Sequence, residues 1–479
     1  RQQVGRKTFD TVLVGTALAV AFAVSHMMLI YQSLGPATVG ANDVRLYAWW
    51  MGQAESTGQW PGIDTDWVYP VGALAPLLVA SILGTGAAYL PAWCAMVGLI
   101  NLAVTVVSVR RFGLAPAAGP LIGWFVFLML LGPCAMTRLD AVMMPLVLVA
   151  LVVASGRPAL ASVLLTGAAW IKVAGGAVLI PLFAIVRSWS RRVALVVLPA
   201  AVVSAAVVVL QLAGGGGWRV LTSFVGAETD RGLQVEAVLA TPVVLAHARR
   251  GEQIWEWNDL LGTCETWGAG AEAAIRVSDI AMPLAALAVG LLAWLARRRA
   301  GAALLVGALA MMSGLIVTHK VGSPQFVAWL APPAVVALCQ GRRPRFWLPV
   351  SAALLVTAAL TGQLYPAGYT EFLSGDRLML TIWTVRNLLL VAVFAAALAE
   401  LVRLWRSSRP GAASASAPAP PTAPTTAADG RTRSGTAPGT APRRPFWTVD
   451  RPNRADDLRQ PAEPAPTGGK PTGRSTASP

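Results

Sequence analysis

The spacing of charge constrains this chain more than any single motif. Long apolar runs are cut by short breaks, and the breaks are of two kinds. Arg6/Lys7, Arg110/Arg111, Arg157, Arg187 to Arg192, Arg297 to Arg299, Arg342 to Arg345 and Arg403 to Arg409 are basic. Between them, residues 34–70, the stretch around Asp140, residues 214–276 and residues 364–377 hold most of the acids. A helix needs about 20 apolar residues to cross a bilayer. Runs of that kind occur in a chain that is 55% hydrophobic and only 13% charged, with mean hydropathy +0.59. This excludes a soluble globular fold and predicts an all-α polytopic membrane protein. Basic residues gather on cytoplasmic loops, so the acidic breaks face outward. About twelve transmembrane helices then close, with both termini cytoplasmic, in the plasma membrane. The formal charge of +15 becomes a sidedness signal and excludes a nucleic-acid partner.

Two assignments follow from the alternation. Residues 70–86, "PVGALAPLLVASILGTG", form a short helix in the outer leaflet, because a crossing there would put Arg110/Arg111 outside. "PALASVLLTGAAW" and "VAGGAVLIPLFAIV" form a short hairpin with Lys172 at its outer tip. The window Phe9 to Tyr31 follows Arg6 and Lys7, is too long for a signal-peptide core and lacks a small-residue cleavage site, so it is the first span. Residues 1–407 make one multi-span domain with outer loops at 34–70 and 214–276. Residues 408–479 are too poor in apolar side chains to order themselves and are expected to be a disordered cytoplasmic tail. Its one aromatic island, Phe446 and Trp447 beside Arg443 and Arg444, is a solvated linker or a docking spot. Cys94, Cys134, Cys264 and Cys339 suggest neither a zinc site nor a disulfide framework; Cys134 and Cys264 alone could meet on one side of the membrane, and otherwise all four are separate apolar fillers. No internal repeat stands out.

The outer loops carry the polar residues of interest. "DVRLYAWWMGQA" places Asp43, Tyr47, Trp50 and Ala54 near one helical face, with Arg45 beside them and Asp43 at the head of an interfacial helix. An Asp there either caps the helix or does chemistry. "WVYPVGALAPLL", with Tyr69, turns the chain back onto the membrane as a pocket rim. Lys172 sits in an apolar hairpin, where an unpaired ammonium costs roughly 3 kcal/mol. It faces a polar cavity or pairs with a carboxylate such as Asp140. His319 and Lys320 precede "GSPQF", containing Gln325, a helix-start pattern able to aim amides at an anion. "ETDRGLQVEAV" offers Arg231, Gln234 and Glu236, a polar edge if helical. Arg138 and Asp140 in "TRLD" read as an outer pair that orients its loop.

In order along the chain, "NDVRLYAWW", "VYPVGALAPLL", "TRLDAVMMPLVLVAL", "LLTGAAWIKVAGGAVLIPLF", "DRGLQVEAVLATPVVLA" and "HKVGSPQFVAWLAPP" resemble the polyprenyl-phosphate-sugar-dependent membrane glycosyltransferases of the GT-C fold. The likeness is greatest to glycosyltransferase family 87, the actinobacterial α-mannosyltransferases, and covers residues 9 to about 405. The chain departs at "YPVG", where that family shows Tyr-Pro-Pro, and the local pocket shape changes with it. The resemblance implies an inverting enzyme of the cell envelope that moves a mannosyl residue from a polyprenyl-phosphate donor to a lipid-linked or glycan acceptor at the extracytoplasmic face, among membrane lipids. Arabinofuranose from decaprenyl phosphate is the alternative sugar, and nothing in the residues separates the two. It further implies Asp43 as the base that takes the acceptor proton. Lys172, His319, Lys320 and Arg231 would hold the donor phosphate. Arg45, Tyr69, Arg138, Asp140, Gln234, Glu236 and Gln325 would contact substrate. No metal or cofactor is implied. Asp64 and Asp66 in "GIDTDW" are the competing acids, but a monophosphate leaving group has less need of a divalent cation. A transporter or flippase using Lys172 and His319 to bind an anion is the reading from another class. It expects polar groups near mid-membrane, whereas here they gather at one face.

Overall fold

The computed structural model describes residues 2–35, 42–229, 231–259 and 262–408, and 81% of them are helical. Residues 409–479, and with them nearly the whole expected tail and its Phe446–Trp447 island, lie outside the described residues. Helix α1 (Gln2–Leu34) is followed by the amphipathic α2 (Asn42–Thr57) and the short α3 (Leu74–Leu83). Next come α4 (Tyr89–Phe112), α5 (Leu114–Leu131), α6 (Asp140–Val153), α7 (Pro158–Ile171) and α8 (Leu179–Ile185). One turn, α9 (Trp189–Arg192), runs through a π-turn into α10 (Leu198–Ala213). An outer region holds α11 (Trp218–Leu221), α12 (Ser223–Thr229), β1 (Leu233–Gln234), α13 (Thr241–Arg250), β2 (Glu256–Asn258) and β3 (Thr263–Thr266). The bundle resumes with α14 (Ala269–Leu295), α15 (Ala300–Thr318), α16 (Ala331–Cys339), α17 (Pro344–Gly362), the short α18 (Tyr369–Leu373) and α19 (Arg377–Arg406).

The protein is thus a helical membrane protein. Eight helical stretches are long and apolar enough to cross a bilayer, namely α1, α4, α5, α9–α10, α14, α15, α17 and α19. Five shorter apolar stretches accompany them: Val71–Leu83, Asp140–Val153, Pro158–Ile171, Val173–Ile185 and Pro324–Cys339. The all-α expectation needs one amendment. Strands β1, β3 and β2 form a small antiparallel sheet with Gln234 opposite Glu265 and Trp257 opposite Cys264. The helical option for the Arg231, Gln234 and Glu236 edge is therefore not the one taken, because Leu233–Gln234 form β1, which pairs with a segment some thirty residues on, and no local periodicity reports that.

Breaks between helices have local causes. Arg157 precedes Pro158, whose ring disfavours helical geometry in the residue before it, and Arg157 is accordingly non-helical (φ −140°, ψ 67°). Lys172 ends α7 in extended geometry and a 3-10 turn, Val173–Val178, leads into α8, so the hairpin does turn at Lys172. Asp376 caps α19, its Oδ1 accepting from Leu378 N and Met379 N, both at 3.0 Å.

Burial sorts the helices into centre and rim. In α15, 83% of the crossing window is buried, against 6% for α9–α10 and 17% for α14. α6, α16 and the Pro324–Leu330 turn are likewise buried along most of their length. A rim helix that is apolar all round has lipid as its solvent. Polar contacts gather the helix ends into two sets. Arg111 donates to Ser155 at 3.0 Å, while Arg343 and Arg403 both pair with Glu400, the latter at 2.7 Å. The other set, containing Asp43, Arg138, Asp140 and Lys172, is the candidate site.

Candidate active site

Asp43 lies in the first turn of α2, whose buried face is Val44, Tyr47, Met51 and Ala54. That face packs Tyr47 against Trp93 and Tyr69, with ring centroids 5.2 and 6.4 Å apart, and so directs the head of α2 toward the start of α6. There the chain leaves α5 at Gly132, whose φ of 72° is a left-handed conformation that side-chain-bearing residues adopt at a cost. The loop that follows is held by the Trp93 indole, which donates to Met136 O at 2.8 Å. It presents Arg138, whose Nη1 lies 2.6 Å from Asp43 Oδ1. Arg138 Nη2 donates to the Tyr365 hydroxyl at 3.0 Å. Tyr365 reaches it because the chain leaves helical geometry there (φ −139°, ψ 129°).

A second ion pair stands beside the first. Lys172 Nζ lies 2.7 Å from Asp140 Oδ2, and the Trp329 indole donates to Asp140 Oδ1 at 2.6 Å. The ammonium also sits 4.7 Å from the Phe326 ring centroid and 5.8 Å from that of Trp329, distances at which a cation is attracted to an aromatic face. Side-chain exposure is 2% for Asp140 and 17% for Lys172, and 6% for Arg138 but 32% for Asp43. Asp43 is thus the accessible member of a four-charge cluster. Burial, and after it the negative charge of Asp43, raise the Tyr69 phenol well above its usual range. Tyr69 is therefore a neutral hydroxyl at this rim.

The outer region adjoins this cluster through residues 319–330. Lys320 Nζ donates to Thr229 O at 2.7 Å and lies 3.9 Å from Asp279. Gln234 N donates to Lys320 O, and Gln234 Oε1 accepts from Gly322 N. A Cβ on Gly322 would lie 2.2 Å from Ala237 N, so the two backbones meet only because residue 322 is glycine. Glu236 accepts from the Tyr369 hydroxyl at 2.5 Å, and Arg386 Nη1 donates to Glu236 O at 3.0 Å. Burial raises the Glu236 carboxyl above its ordinary value. Tyr369 and Tyr365 stack edge to face at 5.2 Å, which joins this network to Arg138.

Several expected roles change with this geometry. Arg138 and Asp140 do not orient one another; each pairs across the fold, with Asp43 and Lys172 respectively. Lys172 takes the carboxylate-paired alternative. The amide of Gly322 is taken by Gln234 rather than aimed at a cavity, and Gln325 is buried in a 3-10 turn. His319 accepts from Val321 N through Nδ1 at 2.8 Å, in the turn before that segment. Arg45 is exposed and donates to Asn42 at 3.4 Å, apart from the cluster. Arg231 lies two residues before β1. Asp64 closes its own turn by accepting from Trp60 N, and Asp66 lies 3.4 Å from Arg219. Among the described residues no group of three or more His, Cys, Asp or Glu converges as a metal site, and the four cysteines are free and buried. Tyr365, Trp329, Tyr369 and Arg386 were not singled out from sequence. The one available signal, an Arg inside the apolar run of α19, pointed to Arg386 alone.

The buried Nε of Arg138 has no acceptor among the described residues. A guanidinium with an orphan donor, shared between a half-exposed carboxylate and a phenol, is suited to an incoming oxyanion. Compared with protein-family models, with curated proteins and with solved structures, the chain finds no match in any of the three.

Proposed function

We propose that the chain is an inverting glycosyltransferase of GT-C type that takes a mannosyl residue from a polyprenyl-phosphate donor at the extracytoplasmic face of the plasma membrane. The eight long helices and four of the five shorter ones make twelve crossings, with Val71–Leu83 lying in the outer interface. Every member of the candidate site then falls on the outer side, and every arginine-rich break on the inner. The observation that carries the reading is the convergence of Asp43, Arg138, Asp140 and Lys172, from three segments (the head of α2, the loop into α6 and the end of α7), into one recessed cluster with Asp43 accessible.

The recess has a structural origin. α6 and α7 have 14 residues each, about 21 Å of helix against a hydrocarbon core of about 30 Å. Asp140 and Lys172, at their outer ends, therefore sit below the plane of the longer helices. A carrier lipid brings its phosphate to that depth laterally, and anchoring supplies much of the proximity. Asp43 accepts the proton of the acceptor hydroxyl as its oxygen bonds to the anomeric carbon. The bond from that carbon to the phosphate oxygen breaks, and its electron pair leaves with the phosphate. Arg138 stabilises the growing negative charge by sharing its guanidinium between Asp43 and the phosphate. Lys172, neutralised by Asp140, shapes the wall and contributes less net charge. The same single displacement turns a β-linked donor into an α-linked product.

The test is Asp43→Asn, which keeps an acceptor for Arg138 and removes the base. Transfer from polyprenyl-phosphate mannose to endogenous membrane acceptors is expected to fall at least about a hundredfold in a protein that still folds but melts lower, because the buried Arg138 keeps an acceptor and loses its counter-charge. Turnover near wild type overturns Asp43 as the base. Labelling only from the arabinofuranose donor moves the reading to that sugar.

A further inference from the structure

We propose that the cavity between the α8–α9 connection and the α14–α15 turn binds the phosphate of an anionic membrane lipid. Arg187, Arg297 and Arg298 line a cavity of about 330 Å³, within the roughly 300–1,000 Å³ range of small-ligand sites. They come from breaks far apart in sequence, brought together because α8 packs on α14, on α15 and on the Arg297–Arg299 turn. Arg297 is within electrostatic reach of Arg187, Arg192 and Arg298. No carboxylate pairs with any of these four among the described residues, although Arg343 and Arg403 at the same end share Glu400.

A preference for basic cytoplasmic loops asks only that each loop be basic. It does not ask two loops to converge their guanidiniums on one cavity, where like charges repel. An anion relieves that repulsion, and planar guanidinium forks match phosphate oxygens. The groups are also held in place. Arg297 Nη1 donates to Trp294 O at 2.9 Å with the guanidinium 4.3 Å from that ring centroid, and Arg298 Nη1 donates to Ser408 O at 3.0 Å.

A lipid rather than a free anion is indicated by the walls. The flanking helices α9–α10 and α14 bury only 6% and 17% of their crossing windows and so face the bilayer. Trp189 and Trp294, both exposed, mark the interfacial level on either side of the cavity. A headgroup seated on the arginines leaves its acyl chains against α10 and α14, a contact that inorganic phosphate lacks.

The experiment uses the purified full chain in an uncharged detergent, titrated with dioctanoyl phosphatidic acid and read by native mass spectrometry and by melting temperature. Phosphatidic acid is expected to bind and stabilise. Its apparent Kd should rise about fivefold for each Arg→Gln change and roughly a hundredfold in R187Q/R297Q/R298Q. Arg110→Gln, at a different basic break, should leave it unchanged. Unaltered affinity in the triple variant, or equal binding of dioctanoyl phosphatidylcholine, overturns the site. Inorganic phosphate stabilising as strongly as the lipid at equal concentration overturns the lipid assignment. If the triple variant does not fold, Arg187→Gln decides alone, since it leaves the α14–α15 break basic, and an unchanged Kd there counts against the site.

Discussion

At one end of the bundle Arg138 and Lys172 each sit within 2.7 Å of a carboxylate; at the other, Arg187, Arg297 and Arg298 surround a cavity with no such partner among the described residues. Depth accounts for the difference. Arg138, Asp140 and Lys172 are buried or nearly so, and an unmatched charge there carries a desolvation cost of several kcal/mol. Arg187 and Arg298 are exposed, and an exposed charge is screened by its surroundings at little desolvation cost. Glu400 shows the same rule inside the arginine-rich end: it is buried, and it holds two arginines, Arg343 and Arg403. Balanced charge thus marks a preorganised interior, whereas surplus charge marks a surface that meets a bilayer.

The comparison breaks most sharply at Asp140. Asp140→Ala leaves the Lys172 ammonium in an apolar hairpin without its carboxylate, and a loss of about 3–5 kcal/mol is expected. The double variant D140A/K172M removes both charges and should recover the part of that loss due to the unpaired ammonium, the remainder reflecting the smaller Ala side chain and the Trp329 indole left without its acceptor. Thermal unfolding of the two single variants and the double, in one detergent, gives the coupling directly. If Asp140→Ala costs under about 1 kcal/mol, the pair behaves like a surface ion pair and the contrast between the two ends falls.

Part of this cluster was legible in the sequence. Lys172 stands out because a charge interrupts an otherwise apolar hairpin, and Asp43 because it heads the first amphipathic stretch after the first span. Asp140 stood among the carboxylates open to Lys172, and the two do pair, but the other partners were not legible. Arg138 meets Tyr365 across 227 residues, and Trp329 meets Asp140 across 189. Periodicity and hydropathy describe one helix at a time and carry no record of which helices become neighbours. The sheet was lost for the same reason, since β1 has two residues and finds its partner through the loop after α13. Helix breaks fared better, because Pro158 and the charge at Lys172 act on their own chain.

Within the outer region, two carboxylates sharpen the contrast between buried and exposed charge. Glu252 is exposed, and hydrogen bonds from Arg250 and then His247 hold its carboxyl at about 2, below the ordinary glutamate value of about 4.3. A depressed folded value means that its contribution is present above the unfolded value and is lost as pH falls toward 2. Glu236 runs the other way. Burial raises it, so its contribution is complete below the ordinary value and declines as pH rises through the raised one. Hydrogen exchange in lipid nanodiscs should show protection at residues 247–252 failing only on acidification, and protection at residues 234–237 weakening toward neutral pH. Glu252→Gln and Glu236→Gln should each flatten their own profile. Parallel profiles in the wild type would remove the assigned causes.

The smallest effect is expected where both partners are wet. Arg219 and Asp66 approach to 3.4 Å with side chains 83% and 50% exposed, and pairs of this kind contribute about 0–1 kcal/mol. Screening by salt weakens such a pair further, since nothing separates it from the surrounding ions. Asp64, two residues earlier, is spent on the Trp60 amide, so Arg219→Gln leaves the turn itself intact. The variant should melt within about 0.5 kcal/mol of wild type and transfer sugar at an unchanged rate. A loss comparable to that of Asp140→Ala would mean that Asp66 does more than decorate the rim, and would return the acids of "GIDTDW" to the centre of the chemistry.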